Sequence, residues 1–165
     1  MNFLLRLKSW QLLILIFLPS VIPPLNFSCR IVNVSGFLIY ISWIYTIGTV
    51  LHSMLPIHLK PKVIFFKISC VICLLFVIIG SFSNLLDFNP FEGNNIYIFC
   101  ILFAIVMIVM FYTFSFAARM LESKIKGKIV NRSDSLRTFV YIWFFPIGIW
   151  YIQPMIKQAL NDDNN

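Results

Sequence analysis

Residues 96–118 read IYIFCILFAIVMIVMFYTFSFAA, a run without a single charged residue. A helix on the surface of a water-soluble protein keeps a polar face opposite its apolar stripe; this one is apolar all round. At ~1.5 Å per residue it extends ~35 Å, enough to cross a hydrocarbon core of about 30 Å. Lipid offers no partner for an exposed peptide group, so the segment has to be helical.

Three more apolar runs lie upstream: Trp10 to Leu25, Val34 to Leu55 and Val63 to Phe82, the last interrupted by Lys67 alone. The chain of 165 residues is 60% hydrophobic and 12% charged, against roughly 25% charged in a soluble domain. A water-exposed protein of this size has nowhere to hide so much apolar surface. The reading is all-α: a single integral membrane domain over 1–165, a bundle of four spanning helices near 10–25, 34–55, 63–82 and 96–118. The first run follows Arg6 and Lys8 as a signal peptide would, but no small-x-small cleavage site comes after it, which predicts that it stays in the protein.

Lysine and arginine fix the expected orientation, because short cytoplasmic loops retain them. With the N-terminus inside, all of the 13 basic residues except Arg30 and Lys157 fall before the first run, around the start of the third, or in the stretch after the fourth. Asp87 and Glu92 fall on the opposite side. The net charge of +7 is thus a topological signature, and no soluble basic domain exists to take up nucleic acid. The stretch RMLESKIKGKIVNRSDSLR, 119–137, places Leu121, Ile125 and Ile129 four apart among basic residues. It predicts an amphipathic segment lying on the cytoplasmic membrane surface, where anionic headgroups attract it.

Few residues suggest chemistry. Cys70 and Cys73 form a C-x-x-C, which in a small helical membrane protein suggests thiol-disulfide exchange with a quinone. At ~12–17 Å from the basic end of the third run, the pair is out of reach of an aqueous partner thiol, so two small polarizable residues packed between helices are the expectation and the redox pair is the alternative. Cys29 and Cys100 fall on one side of the bilayer; their spacing leaves a disulfide open. His52 and His58 are off the i, i+4 register of a helical metal site, so neither metal nor cofactor is expected. Lys67 alone among ionisable groups lies inside a predicted span, close enough to its end to snorkel. That argues against an ion carrier and leaves open a carrier of small apolar solutes.

A stripe of small and hydroxyl residues is more informative. Ser42, Thr46, Thr49 and Ser53 recur every three to four positions in the second run, and Ser69, Cys73 and Gly80 offer a counterpart in the third. Such stripes let helices approach and hydrogen-bond across the contact. A close contact between the second and third helices is expected, with a polar ligand cleft as the alternative.

The last third contains TFVYIWFFPIGIWYIQPMI, 138–156. From Thr138 a helix rises only ~12 Å before Pro146, which removes an amide donor, and Gly148 permits a reversal. Trp143 and Trp150 flank that break, and tryptophan favours the headgroup level. The expectation is a re-entrant or interfacial hairpin, broken at Pro146 and Gly148, with Gln153 to Gln158, Pro154 among them, presented to a partner; five spanning helices are the alternative.

This region, with LKSWQLLILIFLPSVI, SWIYTIGTVL and FAARMLESKI upstream, resembles a family of small, uncharacterised bacterial multi-pass membrane proteins, most distinctively in FFPIGIW ahead of Gln153-Pro154. The resemblance implies a bacterial cytoplasmic membrane and a helical membrane fold, and it brings no activity, ligand or site residue. The function expected is that of a non-enzymatic scaffold or accessory subunit. Its partners are the lipid bilayer and a membrane protein or a second copy of the chain.

Overall fold

A computed structural model describes residues 3–21, 27–56, 60–82 and 95–161. Among them it contains helices and no strand. Two N-terminal helices, α1 (Phe3–Arg6) and α2 (Ser9–Val21), precede α3 (Phe27–Met54), α4 (Ile64–Phe82) and α5 (Asn95–Lys126). A 3-10 turn, Ser133–Ser135, leads into α6 (Leu136–Trp143) and α7 (Phe145–Asn161). Helices α3, α4 and α5 are long and apolar enough to cross a membrane, and the chain is membrane-embedded. Of the first run, α2 covers Ser9–Val21, 13 residues; residues 22–25 lie outside the described residues.

Helix α3 is the centre of the bundle. Of its most apolar window 56% is buried, against 22% for α4 and 11% for α5, so the latter two turn most of those windows outward. The reason is visible in the sequence of α3, which places Ile41, Trp43, Ile44, Ile47 and Leu51 in the core and packs against α1, α2, α4 and α5. Phe66 on α4 locks these elements together. Its ring lies against Gly48, where an added Cβ would overlap it, and stacks on Phe116 of α5 at 4.6 Å between centroids.

The hydroxyl stripe does something other than expected. Thr46 donates to Ser42 O at 2.6 Å, Thr49 to Tyr45 O at 2.8 Å, Ser53 to Val50 O at 2.6 Å and Ser69 to Phe65 O at 2.8 Å. Each hydroxyl satisfies a carbonyl of its own helix, the usual alternative for Ser and Thr within helices, and none of these bonds crosses to a neighbour. Ser42 and Ser53 are exposed, and Gly80 faces open space. The close approach of α3 to α4 is made by Gly48, which the stripe leaves out.

In the stretch after residue 118, helix α5 continues unbroken to Lys126, and Met120, Leu121, Glu122 and Ser123 are buried. Helices α6 and α7 pack on this part of α5, whereas residues 126–129 and 131–134 are exposed. Gly127, at φ +62°, ends the helix in the left-handed conformation that glycine adopts without a Cβ penalty. The chain then folds back along α5. Ser123 Oγ accepts the Val130 amide at 3.2 Å, and Arg119 Nε donates to the Val130 carbonyl at 3.2 Å.

Candidate functional site

The segment 136–161 forms a corner of two helices, and the break falls at Phe144 (φ −88°, ψ 56°). This corrects the sequence reading, which put it at Pro146 and Gly148. Pro146 sits in the first turn of α7, where a missing amide costs nothing because first-turn amides have no helical acceptor. Gly148 is helical and works by proximity: a Cβ there would overlap the carbonyl of Tyr141. The absent side chain lets α7 press against α6, and the Tyr141 and Tyr151 rings stack at 4.6 Å, 7° from parallel.

Residues on α3 complete the corner. In a continuous helix the carbonyl of Ile142 would accept from the amide of residue 146, which proline lacks. Tyr40 supplies the donor instead, its hydroxyl 2.7 Å from Ile142 O. Phe145 packs edge-on against Tyr40 and Trp43, with centroids 5.0 and 5.7 Å away. Trp143 stacks on Phe111 of α5 at 4.4 Å. Trp150 and Pro154 are exposed.

Gln153 is not available to a partner. It is 1% exposed, and its Nε2 donates to Leu5 O at 2.9 Å and Leu7 O at 2.7 Å. A single amide thus ties α7 to the junction of α1 and α2.

On the other side of α6 a crevice opens against α5. Its apolar part, about 430 Å³, is lined by Ile108, Phe111, Leu136 and Phe139. An adjoining polar part, about 190 Å³, is lined by Pro61, Lys62, Phe116 and Arg119. Tyr112, Ser115 and Arg132 line both. Among the described residues no carboxylate lines either part. Glu122, the acid nearest in sequence to Arg119, is buried on α5, where Thr138 donates to its Oε1 and the Lys126 ammonium stands 3.0 Å from Oε2. In the sequence these cations share only a side of the membrane; the fold-back after Gly127 brings Arg132 to the same crevice as Arg119. An i, i+4 pairing of Glu122 with Lys126 was visible in the sequence as a sign that this acid has a structural partner.

The remaining candidates lie elsewhere. Cys70 and Cys73 are buried free thiols on the core face of α4, with Thr113 of α5 beside Cys73. Cys100 is an exposed free thiol, whereas the side chain of Cys29 lies outside the described residues. His52 Nε2 donates to Pro61 O at 2.8 Å and closes the connection between α3 and α4; His58 is outside the described residues. No protein-family model, curated protein or solved structure matches the chain.

Proposed function

We propose that the chain is a multi-pass protein of a bacterial cytoplasmic membrane, N-terminus inside, that acts without catalysis as a scaffold or accessory subunit. The observation that supports it most directly is the outer half of α5. Ile96, Tyr97, Ile98, Ile101, Leu102, Phe103 and Ile105 are all exposed, and they span more than one face of the helix. Such a segment gains little from its own bundle. In lipid, helices associate by packing rather than by a hydrophobic drive, and this is the surface on which a second membrane helix gains most contact. The orientation rests on the clustering of basic residues, and the bacterial membrane on the resemblance of FFPIGIW and its flanks.

Recovery from mild detergent, with photo-crosslinkers at Ile101 and Ile105, tests the reading. The expected result is a crosslinked membrane protein or a crosslinked dimer of this chain at those positions. Crosslinks to lipid alone would remove the basis of the accessory role. A reporter fused at residue 165 tests sidedness, with activity inside the cell expected.

A further inference from the structure

The crevice between α5 and α6 has the dimensions and polarity of one lipid in one leaflet. About 16 Å of helix axis separate Ile108 from Arg119 at ~1.5 Å per residue, close to half of a hydrocarbon core of about 30 Å. Cations stand at one end, with Lys62 two residues before α4 begins at Ile64. Apolar side chains fill the other end, and Ile108 (69% exposed) and Leu136 (57% exposed) leave it open sideways.

The geometry points to a binding site for one anionic phospholipid, its phosphate held among Lys62, Arg119 and Arg132 and an acyl chain laid along Ile108, Phe111 and Phe139. Arg119 is held in place through Nε by Val130 O, and a guanidinium already positioned makes charge-assisted bonds to phosphate at low ordering cost. Lys62 and Arg132 are exposed and pair with no carboxylate among the described residues. A zwitterionic lipid would bring its own cation into a cleft where no acid among the described lining residues meets it. An anionic headgroup meets three positive charges there. The assignment does not rest on the partner proposed for the outer half of α5.

Native mass spectrometry of the delipidated protein in mild detergent, titrated with phosphatidylglycerol or phosphatidylcholine, tests it. Phosphatidylglycerol is expected to bind at least tenfold more tightly. Lys62→Gln with Arg132→Gln removes two headgroup contacts from exposed positions and should weaken it by roughly 25-fold, at about fivefold per basic residue. Ser115→Leu, which fills the joint between the two parts, should weaken it with the charges intact. Equal binding of the two lipids, or an unchanged affinity in the double variant, would overturn the assignment. Inorganic phosphate displacing phosphatidylglycerol at equal concentration would make this a free-anion site and overturn the lipid as its ligand.

Discussion

The side-chain amide of Gln153 donates to the backbone carbonyl of Leu5 across 148 positions of sequence, at 2.9 Å. A second bond from the same nitrogen reaches Leu7 O at 2.7 Å. Leu5 and Leu7 flank the end of α1, where carbonyls lack helical donors, and the surroundings are closed to water because Leu5 is fully buried. Gln153→Leu keeps the volume and removes both donors. It should destabilise the protein by about 1–3 kcal/mol, the cost of leaving a buried acceptor unmet, read as a lower thermal midpoint in detergent. Gln153→Glu supplies no donor while ionised. Burial raises the folded-state pKa of such a carboxyl, so the folded state binds the extra proton and this variant should regain stability as pH falls.

Two neighbours in FFPIGIW should behave in opposite ways. Gly148→Ala places a Cβ on the Tyr141 backbone, which cannot rotate aside, and is expected to cost at least the ~1–3 kcal/mol of ordinary overpacking. Pro146→Ala changes an exposed first-turn residue and should cost less than about 1 kcal/mol. Thermal unfolding of the two variants in one detergent compares them directly. Equal losses would mean that the proline, and not the close approach at Gly148, shapes the corner.

That contrast shows where sequence legibility stopped. The helical membrane class followed from charge-free runs such as 96–118, because length and apolarity suffice for it. The presence of a break near Pro146 was also legible. Its position was not, since proline either ends one helix or begins the next, and a turn conformation such as that of Phe144 leaves no residue signature. In the Ser/Thr stripe, Thr46, Ser69 and Cys73 are buried, but the hydrogen bonds were not legible: a hydroxyl that bonds its own helix has the same spacing as one that bonds a neighbour. The polar end of the crevice was half legible. Basic residues were expected on one side of the membrane, but their convergence depends on Gly127 turning the chain back.

The contact between α3 and α4 can be tested at glycines. Gly48→Ala drives a Cβ into the Phe66 ring, which Phe116 and Tyr45 flank by stacking, so a loss of about 1–3 kcal/mol is expected. Gly80→Ala meets nothing and should stabilise α4 by up to about 1 kcal/mol through helix propensity. Thr46→Val removes only a bond to its own helix and should cost less than either Gly48 change. A Thr46→Val loss exceeding that of Gly48→Ala would restore the hydroxyl stripe as the seam.

The last test concerns the buried carboxylate. Glu122 is 8% exposed and is met by Thr138 from α6 and by Lys126 one turn along α5. The two partners should not matter equally. Lys126 is partly solvated, and exposed pairs of this kind contribute about 0–1 kcal/mol, so Lys126→Gln should leave the midpoint nearly unchanged. Thr138→Val removes the buried donor and should cost about 1–3 kcal/mol, because a desolvated carboxylate is left without its hydrogen bond. Adding Glu122→Met to Thr138→Val takes away the group that needed satisfying and should recover much of that loss. Urea or thermal unfolding of the parent, Thr138→Val, Glu122→Met and the double variant closes the cycle. Additive losses in the double variant would show that Glu122 and Thr138 do not act as a pair and that α6 is held to α5 by its aromatic contacts alone.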